Sequence, residues 1–265
     1  MTRSWLLLLI GLTLAPRAAA DQRPVLSLVI DDLGYSLENG KAAIDLEGDH
    51  TYAILPGAVH SRRLAQHANG QNKEVILHLP MQSISSRAAQ EPNALNEGMD
   101  EDQLTANVHS LLAEIPFIRG VNNHMGSYLI EFDFFMRPVM DSIRGYNSSL
   151  YFLDSRTSPR SVAYAQARVA GLSSITRDIF LDNEPNPESI RLQYNIWLTK
   201  AREQGSALAI GHPYPNTIEV LRQNLEAANL DFNFMRVSKL IDERKVRGFS
   251  ANWRDQIPTL ESIIH

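Results

Sequence analysis

The chain has no cysteine among its 265 residues. That absence removes disulfides, thiolate metal sites and a cysteine nucleophile together. No Gly-x-Gly-x-x-Gly follows a strand-like run, and there is no Walker phosphate loop, no His-Glu-x-x-His and no Gly-x-Ser-x-Gly, so dinucleotide, nucleotide, zincin and serine-elbow chemistries lack their signatures. Lys and Arg are scattered, and the short Glu243-Arg244-Lys245-Val246-Arg247 cluster reads as a solvated helix face. With no basic block there is no nucleic-acid footprint. Internal repeats and low-complexity tracts are absent as well.

Long hydrophobic runs are also missing. The longest, Trp5 to Leu14, is too short to span a bilayer comfortably,. It lies between Arg3 and Ala18-Ala19-Ala20, which is the layout of a secretory signal peptide cut after Ala20,. An uncleaved anchor is the competing reading. Cleavage removes Arg3 and Arg17 and no acid, leaving 23 basic against 30 acidic side chains, a net charge of −7. A mildly acidic surface repels phosphate backbones and permits neutral or cationic glycans. Export without disulfides points to a bacterial periplasm or envelope, with no stable membrane span after cleavage. Residues 21–265 can bury a substantial core and are expected to form one domain.

From residue 25 short apolar runs alternate with longer amphipathic segments, the pattern of an α/β fold with a mostly parallel sheet or barrel covered by helices. The expected strands are Val25–Ile30, Thr51–Leu55, Glu74–Leu79, Phe117–Asn122, Leu150–Leu153, Ala167–Leu172, Ala207–Ile210 and Asn233–Val237. Helix starts are expected at Asp100 with Gln103, Ser158 before Pro159, Asn186 before Pro187, and Asn216 with Glu219,. Leu192, Ile196 and Leu198 beside Trp197 suggest a long helix that Gly205 stops, with Trp197 in the core,. Gln82 to Gly98 reads as a long loop,.

Several of these strands end in residues that bind metals or move protons. The first ends at Asp31-Asp32; "VILHLPM" carries His78, "VNNHMGS" carries Asn123 and His124, "YFLDSRTS" carries Asp154 and Arg156, and "LAIGHPYP" carries His212 and Tyr214. In a parallel β/α fold all strand C-termini share one face, so these residues converge. An Asp after a strand often caps the next helix. Two in succession repel without a cation or a protonated partner. Two imidazoles and a carboxylate form a three-ligand set that leaves positions for water and substrate. Asp154 and Arg156 alternatively form a structural ion pair, and Tyr214 either stacks on a sugar ring or packs in its loop. His50, His60, His67 and His109 look like surface residues.

The ordered set "IDDLG", "HLPM", "NNHMGS", "FLDSRTS" and "GHPYP" resembles the divergent branch of the polysaccharide deacetylase family over about residues 25 to 240. The resemblance implies a distorted (β/α) barrel of about seven to eight mostly parallel strands. It also implies a divalent metal, commonly zinc, bound by one Asp and two His, and deacetylation of an N-acetylated glycan. By position it makes Asp31 the general base, Asp32 a metal ligand, His212 the general acid and Asp154 the carboxylate that orients His212. The family's His-x-x-x-His turn is absent, because Tyr128 stands four residues after His124; His78 is then the second imidazole. The family's Arg-x-Pro-Tyr motif is not evident either. Arg156, Tyr214 and Asn123 are assigned to substrate. Two alternatives keep the fold: a glycan-binding or envelope-organising protein without turnover, and a metal-dependent hydrolase of another amide or ester.

Overall fold

The computed structural model describes residues 23–84 and 93–246. The expected leader at 1–20, its cleavage point and the middle of the 82–98 loop lie outside the described residues. The sheet is built from β1 (Val25–Leu33), β2 (Thr51–Ile54), β3 (Glu74–Met81), β4 (Ile118–Met125), β5 (Tyr151–Asp154), β6 (Ser173–Thr176), β7 (Ile179–Phe180), β8 (Ser206–Gly211) and β9 (Asn233–Phe234). Between them run α1 (Leu37–Ile44), α2 (Ser61–Gly70), α3 (Glu101–Glu114), α4 (Asp133–Tyr146), α5 (Ala163–Val169), α6 (Pro187–Gln204) and α7 (Pro215–Asp231), with α8 (Val237–Val246) last. No helix among the described residues is long and apolar enough to cross a membrane.

Every strand pairing among the described residues is parallel. The order β6-β5-β4-β3-β2-β1-β8-β7, with β9 beside β1, curls into a half-barrel. Strict alternation along the strands sorts the side chains into two cores. Leu26, Leu28 and Ile30 of β1 face the covering helices with Leu77, Leu79, Val121 and Phe152. Val25 and Val29 point the other way and pack with Ile76, Leu153, Leu208, Ile210 and three residues of α8, Val237, Leu240 and Ile241. Helix α8 therefore fills the concave side of the sheet. It is fastened at the N-terminal end of the strands, where buried Glu74 Oε1 accepts from Thr51 Oγ1 at 2.9 Å, Tyr151 Oη at 2.8 Å and Ser238 N at 3.2 Å. Ser238 Oγ donates to the other carboxylate oxygen.

Four expectations about elements need correction. Ala167–Leu172 is the end of α5 and the turn at Gly171, whose φ of 79° reverses the chain; the strand follows at Ser173–Thr176. Ala163 and Ala167, four apart, are a buried helix stripe, whereas β6 has only Ile175 buried because it ends the sheet. No helix starts at Ser158. Its hydroxyl donates to Glu131, and Ser161 gives its hydroxyl to Asp154 before α5 begins. The helix expected from Asn216 starts one residue earlier at Pro215, and Asn216 donates to Pro185 O at 2.9 Å instead of capping. Only Asn233–Phe234 of the expected last strand pairs, and Val237 already begins α8.

The long helix α6 is present with Asn186 as its N-cap and Gly205 in the left-handed C-cap, but it buries Ile190, Tyr194, Trp197 and Ala201. Those positions follow the 3.6-residue period, which leaves Leu192 and Ile196 exposed,. Asp100 and Gln103 form the expected capping box on α3.

Candidate metal and acid–base site

The inward-facing alternation that places Val25 and Val29 in the concave core carries Asp31 to the same side, above that core at the C-terminal end of β1. It does the same for His78 after Ile76, for Asn122 and His124 on β4, and it leaves His212 just past Ile210. Asp32 breaks the alternation. The pairing of β1 with β2 shifts register between Ile30 and Leu33, and Asp32 has φ 58°, so two consecutive carboxylates turn toward one centre,. Met125 and Arg156, at the ends of β4 and β5, also have positive φ, 54° and 49°. Each such residue costs ~1–3 kcal/mol, a strain that gathers at functional sites.

Asp32 Oδ1, His78 Nε2 and His124 Nδ1 form a triangle with edges of 3.1, 2.9 and 3.1 Å. Ligands ~2.1 Å from a tetrahedral ion stand ~3.4 Å apart, so the triangle is slightly contracted around the position a cation would take. Asp32 Oδ1 is buried and makes no hydrogen bond of good geometry despite these neighbours. These are the residues among those described that could hold a metal ion, and the one-carboxylate, two-imidazole donor set fits a divalent ion,. Burial opposes the ionised form of Asp32, but the imidazoles of His124 and His78 outweigh it and hold this carboxyl well below the usual range.

The remaining groups flank the triangle. Asp31 Oδ2 lies 3.7 Å from His78 Nε2, and Asp31 Oδ1 accepts from Asn122 Nδ2 at 2.9 Å. Burial pushes the Asp31 carboxyl up against the lowering fields of His78 and His212. His212 Nε2 stands 3.8 Å from Asp32 Oδ2, and its Nδ1 bonds Asp182 Oδ1 at 2.9 Å. Burial works against protonating His212, yet the bond to Asp182 and the charges of Asp32, Asp182 and Asp31 raise its pKa to about 9. Its ring is stacked on Tyr214 at 5.2 Å and meets the edge of Phe180 at 5.4 Å.

Three placements differ from expectation. Asp154 does not orient His212: it is buried at the end of β5, where it accepts from Arg156 N at 2.8 Å and Ser161 Oγ at 2.7 Å. Asp182, just after β7, takes that place, and it also accepts from His212 N and Thr217 Oγ1. Asn123 is 1% exposed and spends its amide on Ser155 N, Met125 O and Thr157 Oγ1, so it braces two strand ends rather than facing substrate. His50, expected at the surface, is fully buried. Arg156 is exposed and Tyr214 is 41% exposed at the rim of the site.

Asn122, Asp182 and Arg177 were given no role from the sequence. Asn122 stands two residues before His124, so strand alternation alone puts both on one face. Asp182 follows the apolar pair Phe180-Leu181, too short a run to read as a strand. Arg177 donates from Nε to Ser155 O at 2.7 Å and from a terminal nitrogen to Arg156 O at 3.1 Å, and it lies over the Phe180 ring. No local pattern marks it.

A family model described as divergent polysaccharide deacetylase matches residues 28–241. Among curated proteins, the uncharacterized protein YibQ of Escherichia coli K12 is 37% identical over 221 residues, covering 83% of this chain and 68% of that protein. An uncharacterized protein of Haemophilus influenzae is 35% identical over 83% of this chain and 78% of its own length. Among solved structures, the uncharacterized protein ATU2773 of Agrobacterium tumefaciens C58 superposes with a TM-score of 0.78 at 24% identity, covering 85% of this chain and 92% of that one. The superposition shows a shared fold.

Proposed function

We propose, for a chain that belongs to the divergent polysaccharide deacetylase family, the metal-dependent hydrolysis of an acetamide on an N-acetylated glycan of the cell envelope. The observation that carries this reading is that a second carboxylate and a third imidazole both stand against one triangle: Asp31 Oδ2 is 3.7 Å from His78 Nε2, and His212 Nε2 is 3.8 Å from Asp32 Oδ2. A divalent ion held by Asp32, His78 and His124, with zinc as our assignment, supplies Lewis acidity toward a carbonyl oxygen and makes a water more acidic.

Asp31 receives the proton of the attacking water, and its Asn122 hydrogen bond holds one oxygen so that the other faces the centre. His212, protonated at neutral pH and turned by Asp182, delivers a proton to the leaving nitrogen,. The acyl C–N bond breaks, hydroxyl from water stays on the acyl carbon, and the products are acetate and a free amine. Tyr214 at the rim offers an aromatic face to a sugar ring. The leader-like segment at the start of the chain supports a periplasmic site of action, where such glycans are met.

The test pairs metal analysis with acetate release. Purified chain is expected to carry about one zinc and to release acetate from chitooligosaccharides or peptidoglycan fragments. Asp32→Ala is expected to lose both while keeping its circular dichroism spectrum. Unchanged zinc content in that variant refutes the ligand assignment. Metal-independent glycan binding without acetate release supports a binding protein on the same fold, and metal-dependent cleavage of other amides or esters alone moves the substrate class.

A further inference from the structure

Asn122 is fully buried on β4, in register with His78 on β3 and with Leu153 on β5. Its amide is used at both ends. Oδ1 accepts the Nδ1 proton of His78 at 2.8 Å, and Nδ2 donates to Asp31 Oδ1 at 2.9 Å and to Ser155 Oγ at 3.1 Å. The orientation of the amide follows from chemistry. A carboxylate only accepts, so the nitrogen end must face Asp31, and the oxygen end is thereby turned to His78. An amide oxygen cannot donate, so the proton of His78 has to reside on Nδ1. In the neutral ring, the form that binds a metal, the lone pair then lies on Nε2, the nitrogen that meets Asp32 Oδ1 at 3.1 Å and His124 Nδ1 at 3.1 Å,.

We propose that Asn122 is a positioning residue with two separable jobs: its carbonyl selects the His78 tautomer that presents Nε2 to the metal, and its amino group fixes the carboxylate of Asp31. One side chain thus ties the ligand set to the base, and Ser155 anchors it to the neighbouring strand. The inference rests on the metal-dependent reading above. It gives a role to a residue that the strand-end motif carries without one, because Asn122 is not one of the three candidate ligands and works through residues on two other strands.

Two substitutions in the full chain separate the jobs. Asn122→Leu, near in volume and unable to hydrogen-bond, removes both, and zinc affinity measured against a chromophoric chelator is expected to fall about 10- to 100-fold. Asn122→Asp keeps an acceptor for His78 and loses the donor to Asp31. Its zinc affinity is expected to stay within about threefold of wild type or to tighten, since a carboxylate behind a ligand imidazole raises its basicity, while acetate release falls about 100-fold or more. A residue that merely supports the fold would move affinity and turnover together in both variants, and that result overturns the proposal. So does wild-type zinc affinity in Asn122→Leu. Nitrogen-15 NMR of the zinc-loaded wild type gives an answer independent of how the variants fold: His78 is expected to show a slowly exchanging Nδ1–H and a metal-bound Nε2, and the reverse assignment overturns the inference. A wild-type chain that takes up no zinc removes the underlying reading, and the inference with it. Zinc uptake indifferent to both substitutions removes the inference alone.

Discussion

His212 Nδ1 and Asp182 Oδ1 lie 2.9 Å apart, and the second oxygen of the same carboxylate accepts the backbone N–H of His212. The carboxylate thus fixes the ring and the backbone of one residue together. Asp182 is fully enclosed at its side chain, whereas the histidine side chain keeps 14% exposure.

Replacing Asp182 by Asn removes the charge that sustains the His212 imidazolium. The His212 pKa, about 9 in the wild type, is expected to fall, because a neutral neighbour favours the neutral ring,. The alkaline limb of a rate–pH profile moves to lower pH, and turnover drops about 10²- to 10⁴-fold. Zinc content stays at the wild-type level, since Asp182 contacts none of the three ligands. An alkaline limb that does not move would remove Asp182 from this role.

Asp154→Asn is expected to behave differently. This buried carboxylate serves Arg156 N and Ser161 Oγ, so its loss appears as about 1–3 kcal/mol less stability in urea unfolding,. Acetate release per folded molecule stays within a few-fold. Lost turnover at unchanged stability would restore Asp154 to the chemistry.

At the opposite end of β3, Glu74→Ala leaves the donors of Thr51, Tyr151 and Ser238 without their shared acceptor. About 2–4 kcal/mol of stability should be lost, and α8 should loosen from the concave core. Hydrogen exchange reports the second effect: amides of Leu240 and Ile241 should exchange faster, while His78 and its neighbours keep their protection.

His50 gives the stability curve an acid limb. Burial first, and the charge of Lys73 second, lower its pKa from 6.5 to about 4, against the raising effect of its bond to Glu47 O. The folded chain therefore binds fewer protons than the unfolded chain between these values. Stability is complete above pH 6.5 and declines as pH falls toward 4, by at most about 3 kcal/mol. Denaturant titrations of wild type and His50→Gln at pH 7 and pH 4.5 should show a smaller acid loss in the variant. Equal losses would assign the limb to other groups.

The parallel α/β architecture was legible because β1, β2, β3, β5 and β8 each carry a short, mostly apolar stretch between amphipathic segments, while β4, with Arg119, Asn122 and Asn123 inside it, is the least apolar of the strands that were read. Asp32, His78, His124 and His212 were legible because each stands in or just past the last residues of such a strand. The short pieces β6 and β7 were not. Ser173–Thr176 has one buried residue and Ile179–Phe180 only two positions, so neither carries a period. With β7 unseen, Asp182 had no strand to end, and Asp154, which ends a clear strand, was given its task.

The order of residues along the chain was enough to bring carboxylates and imidazoles to one face, because in a parallel sheet every strand C-terminus lies on the same side. Which atoms meet there was decided by the tertiary structure. The register shift and positive φ at Asp32 turn both carboxylates inward; the pairing of β3 with β4 sets Asn122 behind His78; and the crossing from β7 to β8 lays Asp182 against His212. Hydrogen bonds between strands depend on register and distance across the sheet, and no local sequence period carries that information.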